Sequence, residues 1–106
     1  RYVIQIMELK MKILQFEKVD NCLEAKNVYD FVLDTMIDEN FVNYLAKLGK
    51  LTYIQVFENP FFRIICRGKY TLRGSLNNQI VRCLLPDEFE MQDVDELKEF
   101  ILKYEK

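Results

Sequence analysis

The chain has 106 residues, of which 50% are hydrophobic and 30% are charged, and its formal net charge is −2. This composition predicts a single folded domain over residues 1–106 and excludes a disordered chain, which would be poor in aromatic and apolar residues. The longest uninterrupted apolar run has three residues, as at Cys83–Leu85. A membrane-spanning helix needs about 20 such residues, so no membrane partner is expected.

Several catalytic classes are excluded by the residues that the chain lacks. There is no histidine, which removes Ser-His and Cys-His pairs and all histidine-ligated metal sites. Ser75 is the one serine, and the three glycines are too dispersed for a phosphate-binding loop. The sequence therefore predicts a domain without evident catalytic chemistry, cofactor or metal.

The cysteines are Cys22, Cys66 and Cys83, an odd number with no C-x-x-C spacing. A closed disulfide framework would leave one of them over, so we expect three reduced thiols that are mostly buried. Reduced cysteines are typical of intracellular proteins, which predicts a cytoplasmic location. An enzyme built on Cys66 or Cys83 beside an arginine is the remaining catalytic hypothesis. The chain begins with Arg1, which leaves open whether a segment precedes it.

The first half of the chain is expected to contain one strand followed by two helices. Residues 2–19 fit either a strand or a helix, and we favour a strand over Lys10–Lys18. Asn21 and Glu24 have the spacing of a capping box, and apolar residues at helical spacing continue to Met36. Asp38 is the expected N-cap of a second helix, which Gly49 would end in the left-handed conformation.

The second half is expected to contain three strands and a final helix. The strands are predicted over Leu51–Phe57, Phe62–Leu72 and Gln79–Leu85, and Gly68 marks either a hairpin turn or a bulge in the middle one. Asp93 is the expected cap of the last helix. The predicted order is β-α-α-β-β-β-α, a small antiparallel α+β sheet of about four strands covered on one face by helices.

Charge is unevenly distributed along the chain, which indicates a candidate binding surface. Residues 61–83 contain five basic and no acidic residues, whereas residues 84–106 contain eight acidic residues and three lysines. Four of the five basic residues share one parity along the predicted strands, and Tyr53 and Ile65 could interleave with them. The candidate binding residues are Arg63, Ile65, Arg67, Lys69, Arg73, Arg82 and Tyr53.

Two functions fit such a surface. We favour a protein-interaction or self-assembly module, because apolar side chains among arginines are typical of interfaces and the acidic helices offer a complementary charge. The alternative is single-stranded RNA or DNA binding, in which arginines hold phosphates and aromatic side chains stack on bases. The simplest competing interpretation is a solvated face that has no partner.

Overall fold

The described residues form six strands and two α-helices, and the strands build one sheet. The computed structural model describes residues 10–20, 25–55 and 58–106. In chain order the elements are β1 (Ile13–Lys18), β2 (Asn27–Leu33), α1 (Glu39–Leu45), a 3₁₀ turn (Ala46–Leu48), β3 (Lys50–Ile54), β4 (Phe61–Cys66), β5 (Tyr70–Ser75), β6 (Ile80–Leu85) and α2 (Met91–Leu102).

All neighbouring strands of the sheet are antiparallel, and their spatial order is β1-β2-β6-β5-β4-β3. Strands β3 to β6 form a meander that returns to pair with β2, so β2 and β6 lie inside the sheet. The chain reaches the far edge strand β3 through α1 and the 3₁₀ turn. After β6, α2 returns toward the other edge, where the Met11 amide donates to the Tyr104 carbonyl at 2.9 Å.

The predicted order of elements and the predicted four strands are wrong. The segment expected to form the first helix contains strand β2 instead. Its residues Val28–Val32 include β-branched and aromatic side chains, which favour a strand. Strand β2 lies inside the sheet and buries residues on both of its faces, Val28 and Asp30 on one and Phe31 on the other. The apolar residues of this segment therefore fall at helical spacing by coincidence. The expected cap at Asn21 and Glu24 lies outside the described residues.

The ends of the helices agree only in part with expectation. Asp38 caps α1, since its Oδ1 accepts from the Phe41 amide at 2.8 Å. Gly49 is extended rather than left-handed, with φ −174°. A Cβ at Gly49 would lie 2.3 Å from the Ile65 carbonyl oxygen, so the close approach of β4 excludes a side chain there. Helix α2 begins at Met91 with Glu90 as its N-cap, and not at Asp93 as expected.

The predicted strands are confirmed at their centres and differ at their ends. Strand β1 confirms the strand expected within Lys10–Lys18, and residues 1–9 lie outside the described residues. Gly68 belongs to a hairpin turn between β4 and β5 and has a φ of 81°, which glycine adopts without strain. Strand β5 continues through Ser75, beyond Leu72, where the predicted strand ends. Val56 and Phe57, at the end of the predicted third strand, are not among the described residues.

The hydrophobic core lies on one face of the sheet, which we call the inner face. The two α-helices contribute their buried side chains to it, as do alternate residues of the strands. Ile64 and Leu72 are fully buried there, as their parity predicts. The cluster consists mainly of Phe31, Leu33, Phe41, Leu45, Phe62, Ile64, Leu72, Val81, Cys83, Val94, Leu97 and Ile101. The opposite parity of each strand therefore points to the other side of the sheet, the outer face.

Candidate functional site

Three arginines stand side by side on the outer face, on three neighbouring strands. In the antiparallel register Arg63 of β4 lies opposite Arg73 of β5, and Arg73 lies opposite Arg82 of β6. Side chains at directly opposed positions of adjacent strands are close neighbours, and like charges there destabilise a sheet. The row therefore brings three guanidinium groups close together, at a folding cost that opposite charges beside them must offset.

One end of the arginine row is joined to a buried carboxylate. Asp30 of β2 lies opposite Arg82, and its side chain is 8% exposed. Arg82 donates from Nε to Oδ1 at 2.9 Å and from Nη2 to Oδ2 at 3.0 Å. This two-bond geometry fixes the guanidinium plane of Arg82 and satisfies the buried acid. Arg63, at the other end of the row, is exposed to solvent.

Exposed isoleucines flank the arginine row on both sides. Ile65 lies two residues beyond Arg63 along β4 and is 44% exposed, and Ile80 lies two residues before Arg82 along β6 and is 38% exposed. Since strand residues two apart share a face, both isoleucines point the same way as the arginines. We call Arg63, Ile65, Arg73, Ile80 and Arg82 the arginine face.

Two shallow grooves run across the arginine face. One has a volume of about 370 Å³ and lies between Phe61 and Ile80, with the three arginines along it and Gly74 in its lining. A Cβ at Gly74 would lie 2.9 Å from the Ile80 carbonyl oxygen and 3.0 Å from the Phe62 ring. The other groove, of about 750 Å³, extends past Ile65 to the β4–β5 turn. The face is therefore contoured rather than flat.

The structure brings together four of the seven predicted binding residues, namely Arg63, Ile65, Arg73 and Arg82. Arg67 and Lys69 lie in the β4–β5 turn, at the end of the second groove. The Lys69 Nζ is 3.9 Å from Oε2 of Glu96 on α2, an exposed ion pair that turns this side chain toward the helical layer.

Tyr53 lies on the opposite side of the sheet from the arginine face. It pairs with Phe62, an inner-face residue, and packs against the hydrophobic core. Its hydroxyl oxygen is buried, and burial raises the pKa of this phenol. The prediction that Tyr53 interleaves with the arginines is therefore wrong, because Tyr53 and the arginines lie on opposite faces of the sheet. Phe61, by contrast, is on the outer face beside the first groove.

Two residues of the surface were missed by sequence reasoning. Ile80 has the same strand parity as Arg82, so the alternation along β6 was a signal that both side chains share the outer face. Asp30 was assigned to a helix, so its pairing with Arg82 could not be foreseen. Once residues 27–33 are recognised as a strand, Asp30 is the one charged side chain among them, and such a residue inside a sheet needs a cationic partner.

The cysteines in the described residues, Cys66 and Cys83, are unpaired and buried, as expected. Burial raises the pKa of the Cys66 thiol, and it raises that of Cys83 to about 12. A thiol with a raised pKa is protonated at neutral pH and lacks the thiolate needed for nucleophilic attack. The hypothesis of a cysteine-based enzyme is thereby weakened at both positions. Cys22 lies outside the described residues.

Neither a metal site nor a membrane-spanning helix is found in the described part of the chain. No three acidic, cysteine or histidine side chains there are grouped as a metal ion would require. The helices within residues 10–20, 25–55 and 58–106 are too short and too polar to span a bilayer. Comparison with protein families, with curated proteins and with solved structures finds no match for this chain.

Proposed function

We propose that this chain is a protein-interaction module whose binding surface is the arginine face. The supporting observation is the arrangement of that face, in which a row of three arginines lies between two exposed isoleucines. Arginine recognises carboxylates through paired hydrogen bonds, and apolar side chains beside it exclude water from the contact. The partner surface that fits is one carrying carboxylates with aliphatic residues at their sides.

Protein is favoured over single-stranded nucleic acid by the side chains around the arginines. A strand face that binds bases needs aromatic platforms, and Phe61 is the one aromatic side chain that the described strands place on the outer face. Tyr53 packs on the inner face. The exposed side chains of Ile65 and Ile80 offer aliphatic contact instead, which suits a protein surface better than a base.

A cytoplasmic location is part of this proposal. The free thiols of Cys66 and Cys83 are what a reducing compartment preserves, whereas oxidising compartments favour disulfides.

The proposal is tested with two fluorescent probes. One is a synthetic helical peptide that presents three glutamates flanked by leucines on one face, and the other is a single-stranded oligonucleotide. Binding of each is measured by anisotropy over a series of salt concentrations. We expect the peptide to bind, with an affinity that falls moderately as salt screens the carboxylate contacts.

Two variants and a control locate the binding. Arg63→Glu is expected to abolish peptide binding, and Ile65→Ala to weaken it by at least about fivefold through a lost apolar contact. The control is Lys18→Glu on β1, which changes the net charge by the same amount as Arg63→Glu. The affinity of this control for the peptide should equal that of the parent protein.

Three results would overturn the proposal. Oligonucleotide binding with a log–log salt slope of roughly −2 to −3, unaffected by Ile65→Ala, would indicate phosphate contacts and the nucleic-acid function. Failure of both probes to bind at low salt would mark the face as solvated surface. Equal effects of Arg63→Glu and Lys18→Glu would show that the peptide responds to net charge alone.

A further inference from the structure

Helix α2 carries an exposed acidic stripe on the side away from the sheet. Val94, Leu97 and Ile101 hold the helix on the inner face, which leaves the opposite side to solvent. Two exposed acids, Asp95 and Glu99, occupy that side, whereas Glu96 is paired with Lys69 of the β4–β5 turn. The stripe is bounded by two exposed apolar side chains, Met91 at 49% and Leu102 at 42% exposure. Its pattern is therefore apolar, acidic, apolar.

The arginine face has the complementary pattern over the same length. Ile65 and Ile80 are two strands apart and about four residues apart along the strands, which separates them by about 16 Å at 4.8 Å per strand and 3.3 Å per residue. The row of arginines crosses the line between them. Met91 and Leu102 are separated by about 16 Å along a helix that rises 1.5 Å per residue.

We infer that the partner of the arginine face is a second copy of this chain, bound through the acidic stripe of its α2. This inference rests on the function proposed above and names the partner. In the complex Asp95 and Glu99 of one copy meet Arg63, at the exposed end of the arginine row, of the next. The apolar ends of the helix then lie against Ile65 and Ile80.

The placement of the two surfaces dictates the kind of assembly. The acidic stripe and the arginine face point to opposite sides of the same molecule, because α2 covers the inner face of the sheet. Two copies therefore cannot exchange both contacts in a closed dimer. Each added copy presents a fresh arginine face or a fresh acidic stripe, so association proceeds head to tail into chains or a ring.

Two variants separate the two halves of the contact. The face variant combines Arg63→Glu with Ile65→Ala, and the helix variant combines Asp95→Lys with Glu99→Lys. All four positions are exposed, so the fold should be retained, and circular dichroism verifies this. The matched controls are Lys18→Glu for the face variant, and Asp20→Lys with Glu58→Lys for the helix variant. Each control makes the same change of net charge at exposed positions elsewhere.

Sedimentation velocity over a range of protein concentrations gives the decisive masses. The parent chain and both controls should form species larger than a dimer at low salt and dissociate as salt is raised. Each variant alone should remain a monomer. An equimolar mixture of the two variants should form a dimer and nothing larger, because only one intact face and one intact helix can meet.

Several outcomes would overturn this inference, and one comparison separates its failure from that of the proposed function. A parent chain that stays monomeric, an assembly that stops at a dimer, or a mixture of variants that stays monomeric would each contradict it. If the parent is monomeric but its arginine face still binds the acidic peptide, the second copy is the wrong partner and the proposed function stands. If the peptide also fails to bind, both are wrong.

Discussion

Arg82 and Asp30 form a two-bond ion pair across strands β6 and β2, with N–O distances of 2.9 and 3.0 Å. The pair lies where the β1–β2 hairpin joins the meander of β3 to β6. It also holds one end of the arginine row at a fixed position. The same contact therefore contributes to the assembly of the sheet and to the order of the proposed binding surface.

Loss of Arg82 should cost far more stability than loss of Arg63. Arg82→Ala leaves the buried Asp30 carboxylate without this partner, and we expect it to lower the free energy of unfolding by about 3 kcal/mol. Arg63→Ala removes an exposed side chain and should change it by less than about 0.5 kcal/mol. Urea denaturation of both variants measures the difference. Equal effects would contradict the structural role assigned to the ion pair.

The parity of β4 and β5 predicts which residues hold the core. Ile64→Ala and Leu72→Ala each remove a fully buried side chain, and each should lower the free energy of unfolding by about 2–5 kcal/mol. Ile65→Ala, one position away on the outer face, is the control and should cost much less. Melting temperatures of the two core variants within a degree of the parent would show that the strand faces are reversed.

The thiols of Cys66 and Cys83 should be unreactive in the folded protein. Burial raises the pKa of Cys83 to about 12, so almost none of this thiol is ionised at neutral pH. We expect a thiol reagent to label both residues slowly in the native state and rapidly in denaturant, measured in a Cys22→Ser background. Rapid labelling under native conditions would contradict the burial of these side chains.

The stability of the chain should fall in acid through Asp34. Burial raises the pKa of this carboxyl, but a 2.8 Å hydrogen bond from Lys106, the Lys12 amide and the Lys106 charge outweigh burial, and the net pKa is lowered. A carboxyl with a lowered folded-state pKa stabilises the fold above its unfolded pKa, and this contribution is lost as pH falls through the folded value.

The parent should therefore be more stable than Asp34→Asn at neutral pH, and the difference should shrink below about pH 4. Chemical denaturation of both proteins at several pH values provides the comparison. A difference that is constant from neutral pH to about pH 3 would contradict the lowered pKa, since the carboxyl would then take up protons equally in the folded and unfolded states.

Local sequence signals predicted some elements of the fold and failed at others for a physical reason. The Asp38 cap depends on a side chain bonding three residues ahead, and the burial of Ile64 and Leu72 depends on alternation within one hairpin. Strand β2 was missed because it is inside the sheet. Its place inside the sheet depends on pairing with β6, which is distant in the sequence, and no local period records that pairing.

The candidate site was predictable to the extent that one strand or one hairpin determined it. Arg63, Ile65 and Arg73 share a face because strand side chains alternate, and the sequence shows that alternation. The proximity of Arg82 to Asp30, by contrast, depends on the register between β2 and β6. Tyr53 was misplaced for the same reason, because the register of β3 against β4 pairs it with the inner-face residue Phe62.

The central claim is that the arginine face binds acidic protein surfaces, and the isoleucine methyl groups test it most directly. Ile65 and Ile80 lie on that face, whereas Ile64 and Ile101 are buried on the inner side and serve as internal controls. Methyl NMR spectra are recorded as the acidic helical peptide is added. The account predicts that the Ile65 and Ile80 signals shift and saturate while those of Ile64 and Ile101 stay in place. Shifts confined to the inner-face isoleucines, or no shift at any of the four, would contradict it.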